Sequence, residues 1–201
     1  QKIINQANVT AVEDLITAYI DSGIQVKRFI FFSTMAVYGA SAHKEDFKKE
    51  TDFLKPTSWY GISKSLAEKV CEKYKDKMNF TIFRPSSIYG PRDHEMFTIF
   101  SMYDNGFVVA VRHANEVIDM IYIDDVIQAC LLSLQKDNGN FEIYNLHDGV
   151  HYDYENFNRH FLEISKNKKA FHLMLPNKLA VFASFWVTLW SRIIKKAYLI
   201  N

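Results

Sequence analysis

Tyr60 and Lys64 stand four residues apart in Ser58-Trp59-Tyr60-Gly61-Ile62-Ser63-Lys64. On a helix that spacing puts a phenol and an ammonium on one face. Such a pair suits proton transfer, with the phenol exchanging the proton and the cation favouring phenolate. A free tyrosine titrates near ~10, so use at neutrality asks for a lowering of roughly three pH units, about 4 kcal/mol. Alone, the spacing equally describes a surface helix with a solvated lysine, and a short motif needs structural context.

The neighbouring elements supply that context. Phe29-Ile30-Phe31-Phe32 is an unbroken apolar run that fits a parallel strand buried on both faces, and it ends in Ser33-Thr34. Residues 79–84 (Asn-Phe-Thr-Ile-Phe-Arg) make a second buried strand, which stops at Pro85, and Gly90-Pro91 follows as a turn. In open parallel sheets, ligands bind at the carboxyl ends of strands. Thr34, Tyr60 and residues 85–91 can therefore share one crevice.

Helical periodicity covers residues 10–22, with Val12, Leu15, Ile16, Tyr19 and Ile20 on one stripe. Thr10 and Glu13 have capping-box spacing, and Gly23 is a natural stop. Residues 40–57 are charged and read as a loop. The helix of Tyr60 runs over 60–75, with Ile62, Leu66, Val70 and Tyr74 inward. A helix over 94–104, short strands over 107–111 and 118–123, and a helix over 125–135 with Val126, Cys130, Leu131 and Leu134 inside come next. A strand over 141–146 precedes a helix over 154–165 that points Phe157, Phe161, Leu162 and Ile164 inward. This alternation predicts an α/β fold with a doubly wound, Rossmann-like parallel sheet over residues 1–150. Residues 151–201 read as a helical cap on the substrate side. Their apolar run at 179–190 is too short for an ordinary membrane span. It reads as a packed amphipathic helix, with a membrane-surface or partner-binding helix as the alternative.

Composition narrows the function. The chain has 201 residues, 48% hydrophobic and 23% charged, with a net charge of +1. That balance suits a globular domain and offers nothing to nucleic acid. Cys71 and Cys130 lie in helical patterns, which predicts buried thiols in a reducing, cytoplasmic setting and no disulfide. No metal-ligand spacing is present.

Four blocks, in order, resemble the extended short-chain dehydrogenase/reductase superfamily and its NAD-dependent epimerase/dehydratase group. They are Phe32-Ser33-Thr34-Met35-Ala36-Val37-Tyr38-Gly39, Tyr60-Gly61-Ile62-Ser63-Lys64, Arg84-Pro85-Ser86-Ser87-Ile88-Tyr89-Gly90-Pro91-Arg92 and Tyr122-Ile123-Asp124-Asp125-Val126. The resemblance implies Tyr60 as acid/base, Lys64 as the ribose-binding cation that lowers its pKa, and Thr34 as the hydroxyl that polarises the substrate. It places Asn8, Ser33, Tyr60, Lys64 and Pro85 around NAD or NADP, and Thr34, Ser87 and Arg92 at a small-molecule substrate. Asn8 has a plainer reading as a helix cap. Asp124 and Asp125 read as caps of the following helix. The family's dimers imply pairing through helices 10–22 and 60–75.

The chain departs from the family in two respects. No glycine-rich turn follows a strand, so the pyrophosphate cradle falls outside these 201 residues. The chain therefore reads as the catalytic and C-terminal part of a longer protein, and is expected to hold a dinucleotide poorly by itself. Val117-Ile118-Asp119-Met120 also lacks the arginine that nucleotide-sugar enzymes use on the diphosphate, and Ser87 stands where asparagine is frequent. Both features favour a dehydrogenase or reductase of a less charged substrate over a nucleotide-sugar epimerase or dehydratase. A non-catalytic relative that works by binding is the third reading.

Overall fold

The computed structural model describes residues 5–39, 47–111, 118–136, 139–150 and 152–176. In order they form α1 (Ala11–Asp21), β1 (Phe29–Phe32), α2 (Trp59–Lys73), β2 (Phe80–Pro85), β3 (Ser87–Tyr89), α3 (His94–Asp104), β4 (Phe107–Val111), β5 (Met120–Tyr122), α4 (Ile123–Gln135), β6 (Phe141–Leu146), α5 (Tyr154–Ile164) and β7 (Phe171–Leu175). Two compact units result. One takes the residues up to 92 together with 118–152, and the other takes 93–111 together with 153–176. The stretch 93–111 thus belongs with the later residues, although in the linear sequence it precedes 118–150.

The main sheet has strand order β1-β2-β6, all parallel. Its register aligns Phe31, Ile82 and Ile143. Every residue of β2 is buried, Thr81 and Arg84 included, as in a parallel strand covered on both faces. Alternation sends Phe80, Ile82 and Phe31 to one face, where they form a core with Ile16 of α1 and Ala67 and Cys71 of α2. Phe83 and Tyr144 face the other way and, with Ala129, Leu132 and Ser133 of α4, line a cavity of about 230 Å³. Helices on both faces make the sheet doubly wound. Two smaller parallel pairs, β3 with β5 and β4 with β7, complete the described strands.

Several elements differ from the sequence reading. The chain enters α1 through a π-helical turn, Gln6–Thr10, so Thr10 is already helical (φ −62°) and makes no side-chain cap. Gly23 does end that stretch, at φ +68°. Pro85 is itself the last residue of β2, where the sequence reading stopped the strand before it. A proline removes only a donor, and the ladder goes on through the Ser86 amide, which donates to the Leu146 carbonyl at 2.9 Å. The stretch 85–91, read without a strand, contains β3. Asp124 and Asp125 sit in the first turn of α4, where they suit the helix dipole; the capping position is Tyr122. Residues 171–175 are a strand, and the apolar run at 179–190 lies outside the described residues, as do 40–46 of the charged loop.

Helix faces differ too. On α2 the buried residues are Gly61, Ser63, Ser65, Ala67, Glu68 and Cys71, while Leu66 is exposed. On α1 only Ile16 is buried and Leu15 is 58% exposed. On α4, Val126 and Ser133 are buried and Leu131 and Leu134 are exposed. On α5, Phe157 and Phe161 are inward and Ile164 is exposed. Cys71 is buried and Cys130 half-buried, and both are free thiols. No described helix is long and apolar enough to cross a membrane.

Candidate active site

The site forms where β1 and β2 end. After β1 the backbone stays extended through Thr34 (φ −165°, ψ 153°), whose hydroxyl accepts from the Ala36 amide at 3.2 Å and caps a single turn, Met35–Tyr38. Ser58 caps α2 in the same manner, accepting from the Gly61 amide at 3.0 Å. Tyr60 and Lys64 then fall on successive turns of α2. A Cβ on Gly61 would stand 2.5 Å from the Ala36 carbonyl oxygen, so only glycine lets α2 lie this close to the capped turn. Gly61→Ala is expected to push the helix away and cost about 1–3 kcal/mol, as overpacking does. Urea denaturation measures it, and an unchanged midpoint would contradict the contact.

A cavity of about 300 Å³ opens there, lined by Phe32, Ser33, Thr34, Tyr60, Lys64, Pro85, Ser86 and Ile88. Thr34, Tyr60, Lys64, Ser33 and Pro85 are thus brought together. Ser87 and Arg92 are not in that lining. Ser87 is exposed on β3, and Arg92 is exposed with φ 73°, a left-handed conformation unusual for a side-chain-bearing residue. Asn8 lies behind the cavity. Its Nδ2 donates to Ser63 Oγ at 2.9 Å, and Ser63 Oγ donates to the Tyr60 carbonyl at 2.8 Å. Asn8 is therefore neither a helix cap nor a lining residue in this structure; it braces the backbone of Tyr60.

The electrostatics differ from the expectation for a tyrosine beside a lysine. Burial pushes the Tyr60 phenol above its ordinary range, and hydrogen bonding with Thr34 opposes this only in part. Lys64 Nζ donates to the Phe32 carbonyl at 2.8 Å and lies 5.1 Å from the centroid of the Phe31 ring and 5.8 Å from that of Tyr60. Burial lowers its own pKa. The ammonium is anchored on the end of β1, and the chain by itself does not bring the phenol toward neutrality. An ultraviolet difference titration of wild type against Tyr60→Phe should assign to Tyr60 an ionisation above that of free tyrosine. An ionisation below it would overturn this electrostatic account.

Two groups near the site escaped the sequence reading. Ser86 lines the cavity, and the signal for it was the strand continuing through Pro85. The buried pair Arg84–Glu68 braces α2 against β2, with Nη2 to Oε2 at 2.7 Å. Its signal was a charge at the end of one buried run and another among the small residues of α2.

This sheet gathers a tyrosine, a lysine and a threonine hydroxyl at its carboxyl end. The sequence model of the NAD dependent epimerase/dehydratase family matches residues 2–146, and the chain belongs to that family. It is 27% identical over 201 residues to the N-acetyl-alpha-D-glucosaminyl-diphospho-ditrans,octacis-undecaprenol 4-epimerase of Escherichia coli O157:H7, covering 96% of this chain and 58% of that one. It is 30% identical over 145 residues to the human dTDP-D-glucose 4,6-dehydratase, covering 69% of this chain and 40% of the relative. The UDP-glucuronic acid 4-epimerase of Bacillus cereus, solved in complex with NAD, shares the fold with a TM-score of 0.72 at 23% identity, over 84% of this chain and 55% of that one. The chain thus spans about half the length of these relatives.

Proposed function

We propose that the chain carries the catalytic centre of an NAD(P)-dependent enzyme that moves hydride at a carbinol or carbonyl carbon of a sugar joined to a diphosphate. The observation that carries this reading is the meeting of Thr34, Tyr60 and Lys64 in one cavity at the ends of β1 and β2. The residues present fit the nicotinamide end of a dinucleotide: a cationic donor at Lys64 and a buried hydroxyl at Ser33 that has no partner among the described residues. A bound nicotinamide supplies the hydride chemistry. Thr34 holds the reacting oxygen, and Tyr60 takes its proton on oxidation and returns it on reduction. Lys64 places positive charge beside the phenol and offers hydrogens to a ribose. Lys64→Met is expected to weaken cofactor binding about 10- to 100-fold, the worth of one charged hydrogen bond. Calorimetry on the natural-length protein measures this.

The relatives' names support a sugar carried on a diphosphate as the substrate class, against the less charged substrate favoured by the missing arginine. Within that class, epimerisation or simple oxidoreduction suits this cavity better than dehydration. Eliminating water next to a ketone needs a second base to remove the neighbouring proton and an acid for the leaving hydroxyl. Among the described residues, the lining holds no aspartate or glutamate. Incubation of the natural-length protein with NAD and UDP-glucose, UDP-N-acetylglucosamine or dTDP-glucose should give epimers or oxidised sugars without loss of water. A 4-keto-6-deoxy product would overturn the choice, and inertness toward all three would overturn the substrate class.

The same reading pairs two copies through α1 and α2. The outward Leu15 and Leu66 support it, and sedimentation of wild type against Leu15→Glu/Leu66→Glu tests it.

A further inference from the structure

The β4–β7 pair is parallel, and parallel strands are ordinarily covered on both faces. Among the described residues only one face of this pair is covered. Val108 is buried, and His172 turns to Tyr103 of α3 and to Tyr154 of α5, whose hydroxyl is hydrogen-bonded with His172 Nδ1 at 2.9 Å. Alternation sends Phe107, Phe171 and Leu173 the other way, and they are 47%, 65% and 41% exposed. Phe107 and Phe171 stack across the pair, with ring centroids 5.8 Å apart and planes within 11° of parallel. Contiguous apolar surface of this kind marks a place where something docks.

The approach to this face is basic. Residues 165–170 lead from α5 into β7 and carry Lys166, Lys168 and Lys169, all exposed. Their backbone is fastened at the end of the pair that holds the stacked rings. The Lys166 amide donates to Asp104 Oδ1 at 2.9 Å, Asn167 Nδ2 to the Asp104 carbonyl at 2.7 Å, and the Phe171 amide to the Gly106 carbonyl at 2.8 Å. Lys166 Nζ lies 3.9 Å from Asp104 Oδ2. Lys168 Nζ donates to the Glu163 carbonyl, and neither Lys168 nor Lys169 forms an ion pair among the described residues. Aromatic rings beside free ammonium groups suit a lipid surface. The rings enter the boundary between headgroups and acyl chains, and the ammonium groups meet anionic headgroups.

We infer that the open face of β4–β7 docks on the surface of an anionic lipid bilayer. Charge selects this occupant, and so does the sequence that follows. Outside the described residues the chain continues into 179–190, where Ser184 and Thr188 are the only polar residues, and then into Arg192, Lys195 and Lys196. Apolar and aromatic residues beside cations thus occur twice in succession, a combination that holds a protein on a membrane without spanning it. A cover made of 179–190 alone would have almost no polar residue to turn outward to water. A second copy docked through this face would bring two lysine loops to one interface, which like charges oppose.

The test is co-sedimentation of the natural-length protein with vesicles of phosphatidylcholine, alone or mixed with phosphatidylglycerol. Wild type should bind the anionic vesicles about tenfold or more tightly than the neutral ones, and the difference should shrink as salt rises. Each lysine beside a negative membrane is worth about fivefold in affinity, so Lys168→Gln/Lys169→Gln should weaken anionic binding about 25-fold and leave neutral binding unchanged. Phe107→Ser/Phe171→Ser should weaken binding to both kinds of vesicle about tenfold, and Phe171→Trp should retain it. Both rings are largely exposed, so the urea midpoint of the serine variant should stay near wild type, which separates lost docking from lost folding. Equal binding to the two kinds of vesicle, or binding to neither, overturns the assignment. Unaltered binding by Phe107→Ser/Phe171→Ser overturns it too and leaves docking to 179–190. A dimer that the serine variant dissociates, with no vesicle binding by wild type, would make a second copy the occupant. Vesicle binding is read without turnover, so failure of the acid/base reading of Tyr60 would leave this result standing.

Discussion

Tyr60→Phe is expected to lower turnover about 10²- to 10⁴-fold, the usual contribution of a positioned acid/base, while ligand binding stays within a fewfold. The exchange removes one oxygen and keeps the ring that forms the cavity wall. Tyr60 is 46% exposed, so no core packing is lost. The phenol's own environment adds a pH signature. Burial holds the phenol above its ordinary range, so the free protein carries little phenolate near neutrality. Oxidation needs phenolate to accept a proton, and reduction needs phenol to give one. With the pKa raised, kcat/KM for the cofactor in the oxidation direction should climb with pH through the neutral range and keep climbing past 10, the ordinary value. In the reduction direction it should stay level over the same range. An oxidation profile that levels off near neutrality would show that this half-buried phenol is not the base. Steady-state kinetics in both directions decide it.

Much of this site was legible in the sequence because it depends on strand ends. Phe29–Phe32 and residues 79–84 read as strands buried in a parallel sheet, and their ends bring Thr34 and Pro85 to one side. The helix faces were less legible. Periodicity counts large apolar residues, and on α2 it selects Ile62, Leu66, Val70 and Tyr74. Val70 and Tyr74 do pack against the core, but Leu66 is exposed and the fully buried positions are small ones, Ser63, Ala67 and Cys71, which let the helix sit close to β1 and β2. The strand Phe171–Leu175 was hidden because it runs on toward an apolar stretch of helical character. Ser86 and Ser87 are adjacent and alike in sequence. Only the register of β2 with β6 decides which of them reaches the cavity.

Breaking the Arg84–Glu68 pair from one side should be the most destabilising change to this unit, at about 3–5 kcal/mol for Arg84→Met. Arg84 is 2% and Glu68 5% exposed. Nε and Nη2 of Arg84 reach the two carboxylate oxygens at 3.0 and 2.7 Å, a bidentate geometry. Nη1 donates to the Tyr38 hydroxyl and to the Glu50 carbonyl at 3.2 Å. Tyr38 passes the chain on, donating to Asn145 Oδ1 at 2.9 Å, and Asn145 Nδ2 donates to the Lys48 carbonyl at 2.9 Å. One guanidinium therefore ties β2, α2, the capped turn and the segment before α2 together. Arg84→Met leaves the Glu68 carboxylate buried without its cation, which is why the single change is costly. The double variant Arg84→Met/Glu68→Leu removes both charges and should regain most of the loss, so the two effects should be strongly non-additive in urea denaturation. A single-variant cost below about 1 kcal/mol would mark the pair as no more than a surface salt bridge. Recovery of stability should not restore the site fully. Tyr60, Lys64 and Glu68 follow one another at i, i+4 and i+8, so anchoring Glu68 sets the rotation of α2 that aims the other two. With both charges gone, Tyr38 and Asn145 lose the guanidinium that organises them. Hydrogen exchange at residues 47–55 should then speed up, and kcat should fall while the urea midpoint stays near wild type.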